Sequence, residues 1–463
     1  MFKRKHKADQ RDAQHELSRR ALIKWSLFAG AALGVGRSRI CEVLDRVAGS
    51  SVAYAAEDKT AGYVIVGDFG NGGLSNLNLL WPHVDVAKAR NPGFSWHAVG
   101  QEEDVVGTDK PLVRGPETPW RMLNAKKQVT CFMAGANQTH KASADFDVGG
   151  MQIIPILSAI QTARASILPM IGVGEVSYSV AGVGGAPAIA TVSAASDVVG
   201  LFNSAASRAG GLLEAQPDAV LYKAHYEAFA SLNRAANRPT TTRAYQTANS
   251  AAKFLGTNLA SVLAITPDEE ALYGISGDMP ENIAEFARGC IVAVKAFSLG
   301  LTNGVILPGM RDDPHGRFGD GSAQPTALHL GRALDGLMNH LSAKTDPNGK
   351  TLADVTTIVF KGDTPKDPLD RNVWPDNTPQ NSNWVYVYGA GYLKSGWFGG
   401  VDRGGGARGF DPATGADAPF NSGDSLRAAA AAIAFAVARG DMRRVQDFIN
   451  GVDINGLVNL QLV

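Results

Sequence analysis

A chain of 463 residues with 45% hydrophobic and 19% charged side chains has enough apolar surface for a large core, which excludes a wholly disordered protein. Its 44 basic and 44 acidic residues balance, but residues 1–55 hold 11 of the former and 5 of the latter, leaving a formal charge of −6 on residues 56–463. That sign disfavours nucleic acid as a partner, and three cysteines (Cys41, Cys131, Cys290) form neither a disulfide framework nor a zinc spacing.

Residues 1–55 read as a targeting segment. A basic opening leads to Ser18-Arg19-Arg20-Ala21-Leu22-Ile23-Lys24, then an apolar run from Trp25 to Gly36, then Ala53-Tyr54-Ala55 as a small-residue processing site. This order resembles a twin-arginine export signal, so the expected first partner is the twin-arginine export machinery and the expected destination is the periplasm or the exterior. The apolar run is too short for a permanent transmembrane helix. An uncleaved anchor stays open as the alternative, because Arg37, Arg39, Glu42, Asp45 and Arg46 lie between the run and the cut.

Residues 56–463 read as one large α/β domain. Gly62 to Asp68 is the first buried strand, and Phe69 to Asn76 is a Gly-rich turn without a clean dinucleotide fingerprint or a Walker Lys. Strands are expected at 129–133 and 167–171, with the helix 151–163 between them, and 172–188 reads as a long loop or lid. Residues 197–263 are almost continuously helical in pattern, an insertion packed beside the sheet. Ile283, Phe286, Cys290, Val294 and Phe297 then recur at helical spacing, with Gly300 as the left-handed stop before a strand at 304–308. The polar loop Asp313-Pro314-His315 follows, and Leu330, Leu334, Leu337 and Leu341 mark the next helix. Strands at 355–360 and 384–388, a hairpin at Gly404-Gly405-Gly406 and an Ala-rich helix over 425–439 complete the chain. Strand, helix and strand in alternation predict a single large doubly wound, mostly parallel sheet, in which ligands sit beyond the carboxyl ends of the strands. Cys131 and Cys290 fall on apolar elements, as buried thiols or, in an oxidising compartment, a single bridge.

The order of segments resembles a family of bacterial twin-arginine-exported proteins of unknown function, related in fold to alkaline phosphatases and sulfatases. The Arg19-Arg20 signal carries part of the resemblance, as does Val64-Ile65-Val66 with Gly72-Gly73-Leu74-Ser75-Asn76. Helix 282–299 and strand 305–307 before Asp313-Pro314-His315 carry more. The remainder comes from Thr357 to Phe360 with Thr364-Pro365-Lys366, and from Trp384 to Tyr388 with Gly389-Ala390-Gly391 and Lys394-Ser395-Gly396. The resemblance implies an alkaline-phosphatase/sulfatase-like sheet and metal-dependent hydrolysis of phosphate or sulfate esters.

Such chemistry needs carboxylates and imidazoles converging on a divalent ion (zinc, calcium or magnesium) together with a nucleophilic hydroxyl or water. The candidates are Asp68, Asp313, His315, Asp363 and Asp376 as ligands, Ser75 as the hydroxyl, and His140, near Asp145 and Asp147, as a second-tier ligand. All follow expected strands. Their plain readings are turn caps for Asp68 and Asp363, a turn opener for Asp313-Pro314, and a hydrogen-bonded loop residue for His315. Two departures from the family keep a second function open. Phe360-Lys361-Gly362-Asp363 stands where an acidic turn is expected, and Thr378-Pro379 stands where an Asp-His pair is expected. The alternative is a catalytically silent periplasmic binding or assembly protein that uses the same cleft or the helical insertion for a protein partner.

Overall fold

A computed structural model of the chain describes residues 61–67, 103–104, 110, 112–114, 129–135, 147–148, 151–162, 164, 166–174, 176, 178–198, 259–307, 323–361, 380, 382–402 and 406–460. In order, these form β1 (Tyr63–Gly67), β2 (Glu103–Asp104), β3 (Val113–Arg114), β4 (Val129–Ala134), β5 (Asp147–Val148) and β6 (Met151–Gln152). Helix α1 (Ile153–Gln161), β7 (Leu168–Val173) and β8 (Ala190–Val192) come next, followed by α2 (Leu259–Leu263), α3 (Pro267–Leu272), α4 (Glu281–Ser298) and β9 (Thr302–Leu307). Then come α5 (Ala323–Ala343), α6 (Leu352–Val355), β10 (Thr356–Lys361), β11 (Asn383–Tyr388), β12 (Gly396–Phe398) and β13 (Gly400–Val401). The last elements are β14 (Ala407–Phe410), β15 (Asp417–Pro419), α7 (Ser422–Val437) and α8 (Met442–Gln446).

The chain divides into two units, Ala53–Val198 with Leu263–Val463, and Met1–Val52 with Val199–Val262. The expected export segment and, apart from its two ends, the expected helical insertion over 197–263 lie outside the described residues.

Eight strands of the larger unit make one sheet in the order β12-β4-β11-β10-β1-β9-β7-β8. Neighbours pair in parallel except around β11, which runs against both β10 and β4. Each strand expected from the sequence lies in this sheet. β8 and β12 are additional: three residues each, too short to show a period, they are fixed by pairing with β7 and β4. The stretch before β8, read as a loop or lid, is pinned to the body. Tyr178 donates its hydroxyl to Pro187 O at 2.6 Å, Ser179 N donates to Gln152 Oε1 at 2.9 Å, and Val183 is part of the core.

Side chains alternate across a strand, so each strand of a central sheet needs a cover on both faces. On one face Val64, Val66, Phe132, Ile306, Val359 and Val385 pack with α1 and α7. On the other, Tyr63 stacks on Phe297 of α4 with ring centroids 4.7 Å apart, and Phe360 meets Phe286 of α4 at 5.7 Å. The run of alanines in α7 lets its backbone come close to the sheet, and Gly62 N donates to Val437 O at 2.7 Å. Helix α4 stops where expected: Gly300 adopts φ +69°, Gly300 N bonds Phe297 O at 3.0 Å and Leu301 N bonds Ala296 O at 2.9 Å, the paired closure of a left-handed helix end. That reversal feeds β9 back into the sheet beside β1. β13 and β14 pair antiparallel and Asp402 N bonds Gly406 O at 2.8 Å, while Gly404 and Gly405 of the expected hairpin lie outside the described residues.

Candidate functional site

In a parallel sheet the strands finish at one edge, and segments far apart in sequence gather there. β1, β4, β9 and β10 finish together, with Gly67 opposite Phe360 on one side and Leu307 on the other. β11 runs the opposite way, so its first residue, Asn383, stands at the same edge opposite Ala134. Each sequence candidate belongs to a segment that leaves or rejoins this carboxyl edge. Asp68 and Ser75 follow Gly67, His140 follows Ala134, Asp313 and His315 follow Leu307, Asp363 follows Lys361, and Asp376 precedes Asn383. These seven positions themselves lie outside the described residues. Among the described residues no group of three or more His, Cys, Asp and Glu side chains is arranged to hold a metal ion, and no helix is long and apolar enough to cross a membrane.

The two faces of the sheet differ at this edge. On the α4 side the Phe360 ring lies so close over Gly67 that a Cβ there would fall 2.2 Å from Phe360 Cδ1, and Phe286 backs the ring. That side is closed by hydrocarbon. On the α1/α7 side the strand ends are polar. Alternation puts Lys361 on the face of Val359, and the ladder puts it opposite Val385, two residues from Asn383 on the same face. Lys361 is 5% exposed, Asn383 1% and the adjoining Ser382 0%. The departure at Phe360-Lys361 was visible in the sequence; the burial of Lys361, which makes it matter, was not.

The amino edge carries another polar group, one that sequence reasoning missed. Arg164 donates through Nε to Ala61 O at 3.0 Å and through Nη1 to Tyr63 Oη at 2.6 Å and Asp346 Oδ2 at 2.9 Å. Gln161 Nε2 donates to Gly62 O and Asn303 O, while Asn303 Nδ2 donates to Arg164 O. Burial pushes the Tyr63 phenol up to about 12, against the pull of Arg164. Burial also disfavours a charged Asp346, but hydrogen bonds from Arg164 and from the backbone of Lys350 and Asn348 outweigh it and hold the carboxyl below its ordinary range. These side chains close the chain on itself and have structural work to do there.

Cysteines, histidines and a helix cap remain among the described residues. Cys131 and Cys290 are free and buried, and burial pushes both thiols up, so the bridge left open by the sequence is not formed and neither thiol is a ready nucleophile. The two histidines of α5 have different neighbours: His340 Nδ1 lies 3.2 Å from Tyr273 Oη, and His329 Nε2 lies 4.0 Å from Asp278 Oδ2. Burial holds His340 down to about 4. Beside it, Thr266 and Glu269 cap α3 reciprocally at 3.2 and 2.9 Å, and Lys295 of α4 takes the Glu269 carboxylate at 2.8 Å.

No protein-family model, curated protein or solved structure matches this chain.

Proposed function

We propose that this chain is an exported protein of alkaline-phosphatase/sulfatase-like type, whose site beyond the carboxyl edge of the sheet takes a phosphate or sulfate monoester. The observation that carries the reading is the meeting of β1, β4, β9 and β10 at one edge with the start of β11, since the segments bearing Asp68, Ser75, His140, Asp313, His315, Asp363 and Asp376 all leave from or return to it. A divalent ion (zinc, calcium or magnesium) held by the carboxylates and His315 would polarise the ester oxygen. The chain's own contribution would be Ser75 as the attacking hydroxyl and a sheet edge that fixes the spacing of the segments.

One observation favours a second reading, a catalytically silent exported binding protein. Phe360, buried and apolar, stands where the resemblance leads one to expect an acidic ligand, with the buried Lys361 next to it. Elemental analysis of the protein purified from the periplasm, with melting curves in the presence and absence of chelator, separates the two. Bound metal, a lower Tm in chelator, loss of that shift in Asp313→Ala and hydrolysis of an aryl phosphate or aryl sulfate support the hydrolase. A metal-free protein with a chelator-insensitive Tm and no hydrolysis leaves the binding protein.

A further inference from the structure

We propose that Lys361 and Asn383 are ligand-binding residues, presenting an ammonium and an amide to the oxyanion of the monoester. This rests on the reading of the carboxyl edge as the ligand site and adds the residues and the charge that would select the ligand. Lys361 ends β10, the strand beside the central β1, at the edge where ligands of doubly wound sheets sit. Lysine is normally exposed because an ammonium loses its hydration on burial, yet Lys361 is enclosed together with Ser382 and Asn383. A buried lysine at the strand end, with an amide on the same face of the neighbouring strand two residues beyond Val385, offers the kind of donors that an oxyanion takes.

The contrast between the two faces sharpens the assignment. On the α4 side the same strand ends are sealed by Phe360 against Gly67, so the polar side is the α1/α7 side. Lys361, Ser382 and Asn383 also make contacts within the chain. An ammonium carries three donors and an amide two, so an internal partner and a ligand oxygen can share them. The probe is inorganic phosphate, or sulfate, without any metal.

The test is calorimetric titration of the full chain with phosphate and with sulfate, in chelator, for wild type, Lys361→Met, Lys361→Arg and Asn383→Ala, with circular dichroism to confirm folding. The expected result is binding by wild type, at least a tenfold loss in Lys361→Met, a smaller loss in Lys361→Arg and a measurable loss in Asn383→Ala. Should Lys361→Met fail to fold, the wild type still decides, because phosphate should shift the side-chain NMR signal of isotope-labelled Lys361. A wild type that binds phosphate with the Lys361 side-chain signal unmoved, or a folded Lys361→Met that binds as tightly as wild type, overturns this assignment and leaves the oxyanion site standing. Binding of neither anion by wild type in chelator overturns this assignment, and the hydrolase reading is then decided separately by the elemental analysis and chelator melting curves.

Discussion

Arg164 Nη1 stands 2.9 Å from Asp346 Oδ2, a buried pair made across 182 residues of sequence. It ties the turn after α1 to the turn between α5 and α6, beneath the first residue of β1. Removing one member would leave the other charge buried and uncompensated, so Asp346→Ala should cost about 3–5 kcal/mol in urea denaturation. The sign with pH follows from the carboxyl being held below its ordinary value of 3.8. Its contribution is complete above that value and is lost as pH falls through the lower, folded-state pKa. Wild type should therefore lose stability below about pH 4 more steeply than Asp346→Asn.

Gly67 is a steric requirement of the sheet. A methyl group there would meet the Phe360 ring at 2.2 Å, and that ring is held by Phe286. Gly67→Ala should destabilise by about 1–3 kcal/mol as the ring is forced off its position. Adding Phe360→Leu should return part of that loss, a coupling that a double-mutant cycle measures. Simple additivity of the two substitutions would contradict the packing described.

His340 makes the protein sensitive to mild acid. Its imidazole is held at about 4 by burial, aided by Lys344 and Lys295 and opposed by Glu269, against an ordinary value of 6.5. The unfolded chain therefore takes up a proton between those values and the folded chain does not, so stability falls as pH drops from about 6.5 toward 4. Between pH 7 and pH 5 the loss should be about 2 kcal/mol, and His340→Gln, which keeps an acceptor for Tyr273, should show a much flatter profile. Equal profiles for the two proteins would show that His340 is not the group responsible.

The export reading predicts that Arg19→Lys with Arg20→Lys holds the precursor in the cytoplasm, with the wild-type mature chain beginning near Ala56. Cell fractionation and N-terminal sequencing check both parts. Delivery of the Lys-Lys variant to the periplasm would rule out twin-arginine recognition.

The sheet was legible because its strands announce themselves. Tyr63-Val64-Ile65-Val66 and Thr356-Thr357-Ile358-Val359-Phe360 are β-branched, apolar and flanked by turn residues, and Gly300 marks the helix stop by the conformation it alone adopts cheaply. Direction was not legible. Asn383–Tyr388 has the composition of a buried strand whichever way it runs, and the path that reverses it was not decided by local pattern. The polar bonds of the amino edge were invisible for a different reason: Gln161 and Asn303 meet across 142 residues, and neither has a local signal that separates it from a surface amide. At the other edge the sequence supplied the candidate residues and the topology supplied their common boundary, while the burial of Lys361 and Asn383 emerges only once β10 and β11 are paired.

The amino-edge bonds also bear on how such a chain can change over generations. Arg164, Asp346, Gln161 and Asn303 fasten the strands where they begin, through bonds that involve no residue of the segments beyond the opposite edge. Substitutions in those segments would leave that fastening intact. A chain built this way can vary what lies beyond that edge while inheriting the same sheet.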